Sequence, residues 1–251
     1  MSLAHRIIPV LLANNGMLVK GKQFNSNRIV GNVQQAAEIH QARGVDEMVV
    51  LDVGTSKLNA EPDYDAVKRL TEKCFMPISV GGGIRTLQHI HDLLANGADK
   101  VVIGSAALED PELVWSASQH FGSQAIVVAI DALFENGNWF VTSRCGQQTH
   151  CYSAVAYAQD IVEQGAGELI VTNIKNDGMM QGYDLGLIRK IAKAVDVPVI
   201  ANGGCGSYLH MHRALSAGAD AVAAGAAFQF LDLTPQGAAD YLSGKGWSVR
   251  Q

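Results

Sequence analysis

The chain carries the same passage twice. Residues 77–106, PISVGGGIRTLQHIHDLLANGADKVVIGSA, and residues 198–227, PVIANGGCGSYLHMHRALSAGADAVAAGAA, align without a gap. The alignment pairs Pro77 with Pro198, Gly82-Gly83 with Gly203-Gly204, and His89 and His91 with His210 and His212. Gly97-Ala98-Asp99 then meets Gly218-Ala219-Asp220, and Gly104 meets Gly225. Upstream, GVDEMVVLD at 44–52 matches GAGELIVTN at 165–173, and Tyr64-Asp65 is set against Tyr183-Asp184. A period of about 120 residues far exceeds the roughly 20–50 of solenoid repeats. Each copy holds strand, glycine loop and helix more than once, so the chain is a duplicated half.

Short apolar runs alternate with amphipathic stretches, the pattern of βα units around a parallel sheet. Eight strands are predicted, at 7–12, 48–52, 77–80, 100–104, 125–131, 168–172, 198–201 and 221–225. Helices are predicted between them, for example over 62–73, 86–97 and 184–195. The strands are hydrophobic at nearly every position, as strands covered on both faces are. Two like halves of four such units predict one (β/α)8 TIM barrel spanning 1–251, with half-barrels at roughly 1–121 and 122–251. One insertion stands out after Asp131, where Asn136-Gly137 predicts a hairpin turn. It lies on the rim that carries active sites in such barrels and is a candidate lid.

With 48% hydrophobic and 17% charged residues, the chain can bury a sizeable core. Its 24 acids against 19 lysines and arginines leave no basic block for a nucleic-acid backbone. No apolar run approaches the roughly 18 residues of a membrane span, and the N-terminus lacks signal-peptide architecture, so a cytoplasmic location is expected. Cys74, Cys145, Cys151 and Cys205 form no CxxC or metal-ligand spacing and are expected to be reduced thiols. The paired histidines are two apart in helical segments and are expected at the surface. No metal and no cofactor is expected.

The repeated glycine loops carry the first chemical signal. Gly-Gly after a strand lets backbone N–H groups approach an anion, and a following helix N-terminus adds a favourable dipole. The second half offers Gly203-Gly204 and Gly225-Ala226, after the strands where barrels most often hold phosphate. The first half offers Gly82-Gly83 and Gly104-Ser105 opposite. Two matched sites suit an elongated ligand with a phosphate at each end. At the other end, Arg6, Glu47, Lys100 and Glu168 stand where strands begin. Charges on the floor of a packed barrel are costly unless paired, and two acids with two bases form a neutral set.

VGGGIRT, GADKVVIGSAAL, FGSQAIVVAIDA, GAGELIVTNIKNDGMMQGYDL and VIANGGCGS together resemble HisF, the cyclase subunit of imidazole glycerol phosphate synthase, almost end to end. The resemblance implies a barrel that takes ammonia from a HisH-like glutaminase on its N-terminal face and passes it to a bis-phosphorylated substrate at the top. It implies that Arg6, Glu47, Lys100 and Glu168 are the ammonia gate, and that Asp99 faces the glutaminase. Lys20 and the Asp177-Gly178 loop match substrate-binding positions of the family. Asp131 matches one of its two catalytic aspartates, but Leu12 stands where the other is expected. Gly104 replaces a usual asparagine and Cys145 a usual serine.

A leucine cannot exchange a proton, and a positioned acid or base is worth about 10²–10⁴-fold in rate. The Leu11-Leu12 pair is similar to that of a HisF-like branch associated with acetamidino sugars of surface polysaccharides. There a barrel and a glutaminase supply ammonia to a third, amidotransferase-type protein that converts an N-acetyl group. That delivery role is the expectation carried forward, with the histidine-pathway cyclase as the alternative. A HisA-like isomerase fits less well, since it too uses a strand-one aspartate and has no use for the gate.

Overall fold

The computed structural model describes residues 4–58 and 60–250. Its strands are β1 (Arg6–Asn14), β2 (Met17–Lys22), β3 (Asn25–Asn32), β4 (Met48–Asp52), β5 (Ile78–Gly81) and β6 (Lys100–Ile103) in the first half. The second half has β7 (Ile126–Glu135), β8 (Asn138–Ser143), β9 (Gln148–Ser153), β10 (Glu168–Asn173), β11 (Val199–Asn202) and β12 (Ala221–Ala224). Parallel pairing runs β1–β4–β5–β6–β7–β10–β11–β12 and returns to β1, a closed barrel of the eight predicted strands. No described helix is long and apolar enough to cross a membrane.

The helices are α1 (Val33–Ala42), α2 (Val53–Leu58), α3 (Tyr64–Thr71), α4 (Leu87–Ala95), α5 (Ser105–Glu109) and α6 (Pro111–Phe121), then α7 (Ala154–Glu163), α8 (Leu185–Ala192), α9 (Tyr208–Ser216), α10 (Ala226–Phe230) and α11 (Pro235–Ser243). Strand side chains alternate between faces, so the outward set of each strand packs under this helical ring. The inward set fills the barrel with Ile8, Val10, Val49, Val102, Val127 and Ile170 among others.

The halves superimpose in sequence more closely than the text alone indicates. The helices starting at Tyr64, Leu87 and Ser105 recur at Leu185, Tyr208 and Ala226, each 121 residues later. This spacing corrects the pairing of Tyr64-Asp65 with Tyr183-Asp184. The counterpart of Asp184 is Asp63, and both are N-caps: Asp63 accepts from the Ala66 N–H, Asp184 from those of Gly186 and Leu187.

The insertion after Asp131 is also not peculiar to the second half. Asn136-Gly137 turns β7 into β8, and Asn15-Gly16 turns β1 into β2 in the same way, with both residues of each pair at positive φ. A two-residue hairpin of this hand requires that conformation, which Asn and Gly tolerate. Each half therefore sends a β-ribbon above the rim. The histidines likewise differ from expectation. Of the paired histidines His89, His91, His210 and His212, only His91 is exposed. His89 and His210 accept backbone N–H groups of Arg85 and Gly206 at 3.3 and 3.1 Å, bracing the two glycine loops, and His212 accepts from Trp247.

Candidate active site and basal ring

Period-two alternation places Arg6 on the inward face of β1, below Ile8, Val10 and Leu12. Glu47, just ahead of β4, and Lys100 and Glu168 at the starts of β6 and β10 meet it there. Arg6 donates to Glu47 at 2.7 Å and to Glu168, while Lys100 donates to Glu47 and Glu168 at 3.0 Å each. Each acid touches both bases and each base both acids, so the ring closes with no charge left over. Ser79 adds a hydroxyl to Glu47 at 3.3 Å. Burial opposes the charge on Glu47, but Arg6 and Lys100 outweigh it and hold its carboxyl below the ordinary value. The carboxylates are almost covered, whereas the Arg6 and Lys100 side chains keep 19% and 24% exposure, so the bases face the opening.

Asp99, beside Lys100, is exposed and accepts the Ile78 N–H at 2.8 Å. Its repeat partner Asp220 accepts from Val199 at 2.9 Å. Both aspartates thus tie one strand start to the next.

Above the apolar interior, the C-terminal rim encloses a cavity of about 150 Å³. Of the predicted site residues, Leu12, Lys20, Gly82, Gly104, Ser105, Asp131, Asp177, Gly178, Gly203, Gly204, Gly225 and Ala226 all line it, as does Cys145. Gly83 does not. Its backbone turns outward at positive φ, and a Cβ there would meet the Ala60 carbonyl at 2.7 Å. Gly203 and Gly204 also have positive φ, which presents their backbone to the cavity. Gly225 is small for another reason, since a Cβ would lie 2.3 Å from the Lys20 ammonium. Gly104 is the reverse case, with nothing within 4 Å of where its Cβ would be. The space of a side chain is open there.

Lys20 reaches this position from β2, whose antiparallel pairing with β1 folds it back over the barrel mouth. Its ammonium donates to the Val10 carbonyl at 3.3 Å. Burial lowers its pKa to about 8, with the negative charge of Asp177 opposing. Asp177 is itself raised by burial, against the pull of Lys20 and the Gly178 N–H. Asp131, at the inward end of β7, is pushed up to about 7 by burial and then by the charge of Asp177, with a Thr172 hydrogen bond opposing. A carboxyl titrating near neutrality can give or take a proton at little cost. Leu12 supplies only an apolar wall to the same cavity.

Three polar lining residues escaped the sequence reading: Asp52, Thr172 and Asn202. Each closes, or nearly closes, an apolar strand, the same signal that marks Asp131. Asn202 donates to the Thr172 hydroxyl at 3.0 Å. Phe24 also lines the cavity, on a loop where Gln23 and Phe24 are both left-handed. Gln23 fastens that loop to the carbonyls of Asp177 and Lys175 at 2.9 and 3.0 Å.

The candidate lid is pinned. Trp139 donates its indole N–H to Asp184 at 2.6 Å, and Lys190 lies 4.8 Å above its ring. At the far end of β8, the Arg144 N–H donates to Ser105 at 2.7 Å. These contacts hold the ribbon against the rim as part of the cavity's surround.

A family model described as "Histidine biosynthesis protein" matches residues 6–234. The imidazole glycerol phosphate synthase subunit HisF of Exiguobacterium sibiricum is 41% identical over 248 residues, covering 99% of this chain and 100% of that one. The subunit of the same description from Streptomyces coelicolor is 42% identical over 234 residues, 93% of each chain. That of Thermobifida fusca is 41% identical over 256 residues, spanning 100% of both.

Proposed function

This chain belongs to the histidine biosynthesis protein family, and we propose that it is a HisF-like barrel subunit of the imidazole glycerol phosphate synthase type. In this reading a HisH-like glutaminase sits on the N-terminal face, and ammonia enters through Arg6, Glu47, Lys100 and Glu168. It then crosses the apolar interior to a phosphorylated substrate in the rim cavity. The observation that carries the reading is the closed, neutral ring at one end of the axis with a near-neutral carboxyl, Asp131, at the other. An interior of Ile8, Val49, Val102 and Val127 suits a small neutral molecule and penalises an ammonium ion.

Asp131 would exchange the proton at the reacting carbon–nitrogen framework. Lys20 would neutralise a phosphate or a developing negative charge beside it. The loops at Gly203-Gly204 and Gly225-Ala226 would hold one phosphate, and those at Gly82 and Gly104-Ser105 the other. No metal or cofactor is needed for these steps.

Leu12 favours a second reading, in which the barrel hands ammonia on for amidination of an N-acetyl sugar by a third protein. Its apolar side chain faces the cavity that Asp131 also lines, so the strand-one position opposite Asp131 carries no carboxylate, although Asp52 and Asp177 line the same cavity. One experiment separates the readings: the purified chain is supplied with ammonium salts and the bis-phosphorylated synthase substrate. Formation of imidazole glycerol phosphate at an ordinary synthase rate supports the first and removes the second. Absence of product, with failure to rescue a cyclase-deficient histidine auxotroph, removes the first.

A further inference from the structure

A second cavity, of about 130 Å³, lies outside the barrel wall between β1, β4, β5, α1 and α3. We propose that it binds a planar aromatic heterocycle through ring N–H groups. The warrant is the duplication itself, because the second half contains the same space with its occupant in place.

That occupant is the indole of Trp139. It packs against Phe134 at 4.7 Å, donates to Asp184 at 2.6 Å and lies under the Lys190 ammonium at 4.8 Å. The 121-residue spacing converts Phe134, Asp184 and Lys190 into Ala13, Asp63 and Arg69, and all three line the second cavity. The strand registers agree, with Phe134 opposite Trp139 on β7–β8 and Ala13 opposite Leu18 on β1–β2. The first half therefore keeps the acceptor and the cation but has lost both aromatic rings. Ala66, where the second half has Leu187, enlarges the space further.

The polar edge states what the missing ring must carry. In the second half Asn173 donates to Asp184 at 2.6 Å, beside the indole N–H. Its counterpart Asp52 also lines the cavity, and a carboxylate accepts without donating. Asp52, which also lines the axial cavity, and Asp63 each use Oδ1 to accept backbone N–H groups, so their Oδ2 atoms are the acceptors left for the space, while Arg69 lines it as Lys190's counterpart. The rest of the wall is mainly apolar, with Val33, Val50, Val67 and Leu70, and is joined at one side by Asn32 and Gln34. An apolar cavity of about 150 Å³ is known to take up benzene, so the volume suits one aromatic ring system.

The test uses indole as the probe on the full chain, by titration calorimetry and saturation-transfer NMR. One saturable site is expected, with N-methylindole, which has no N–H, binding about tenfold more weakly. Ala13→Phe and Ala66→Leu, which copy the filled half from opposite walls, should each weaken indole by more than about tenfold without lowering the melting temperature. Absence of saturable binding at millimolar indole overturns the proposal. So does equal binding of N-methylindole, or undiminished binding by either filled variant that melts cooperatively. Competition by inorganic phosphate would assign the probe to the axial cavity and overturn it as well.

Discussion

Lys100 and Glu168 join across the floor of the barrel at 3.0 Å, and the same ammonium holds Glu47 at 3.0 Å. The lysine is therefore the second clasp of a ring whose first clasp is Arg6. Lys100→Met leaves two covered carboxylates to one guanidinium. Breaking a fully buried pair costs about 3–5 kcal/mol. Because the Lys100 side chain is 24% exposed, a smaller loss of about 1–3 kcal/mol is expected in urea melts. The Glu47 carboxyl is held low, so its contribution is present above the ordinary carboxylate range and lost as pH falls. The variant should lose stability at a higher pH than the parent. With a glutaminase partner, glutamine hydrolysis should persist while ammonia incorporation drops; unchanged coupling would reduce the ring to architecture.

Leu12→Asp restores a carboxyl to the cavity that Asp131 lines. Synthase-type activity with ammonium salts should rise by about 10²–10⁴-fold. If the rate stays at background, the open space at Gly104 and the Cys145 wall have also changed what the cavity accepts.

Asp131→Asn should remove whatever product the parent forms from ammonium salts and yet stabilise the fold at neutral pH. The folded carboxyl titrates near 7 rather than in the ordinary acid range. Below that range both states are protonated and burial costs nothing. As pH rises from about 4 to about 7 the unfolded chain sheds its proton first, and stability falls. The melting-temperature gain of the variant should therefore grow across this window and level off above it. A gain independent of pH would contradict the assignment.

Gly225→Ala and Gly104→Ala make a matched pair. The first puts a methyl 2.3 Å from the Lys20 ammonium and 2.8 Å from the Val10 carbonyl that the ammonium bonds, and should displace the lysine, weakening inorganic phosphate binding. The second enters open space and should leave stability within about 0.5 kcal/mol of the parent. Equal phosphate binding by the two variants would show that the contacts at Gly225 do not hold Lys20 in place.

Trp139→Ala removes the pin of the second ribbon. A loss of about 2–3 kcal/mol is expected, below a fully buried tryptophan truncation because the residue is only partly buried. Hydrogen exchange should rise across 134–143; if it does not, the β8–β9 pairing and the Arg144–Ser105 and Lys175–Phe134 bonds hold the ribbon without the indole.

Much of the site was legible because barrel geometry turns position along a strand into height along the axis. Asp131 ends an apolar run and so must stand at the rim; Lys100 and Glu168 begin theirs and so must stand at the floor. Asp52, Thr172 and Asn202 obey the same rule and were open to the same reading. Gly83 was not, since adjacent glycines look alike in a sequence and only the turn decides which one faces the ligand. The ribbon at Asn15-Gly16 has a turn of the same kind as Asn136-Gly137, but the aromatic flanks Phe134, Trp139 and Phe140 mark only the second.

By itself the amino-acid order determined the duplication, the eight buried strands and the two ends of the axis, because alternation and periodicity are properties of neighbouring residues. Only the tertiary structure decided which acid meets which base, how far Asp131 and Lys20 are desolvated, and that a tryptophan fills one half where the other is hollow. Those facts depend on chain segments a hundred or more residues apart coming within a few ångströms. No local pattern records that distance.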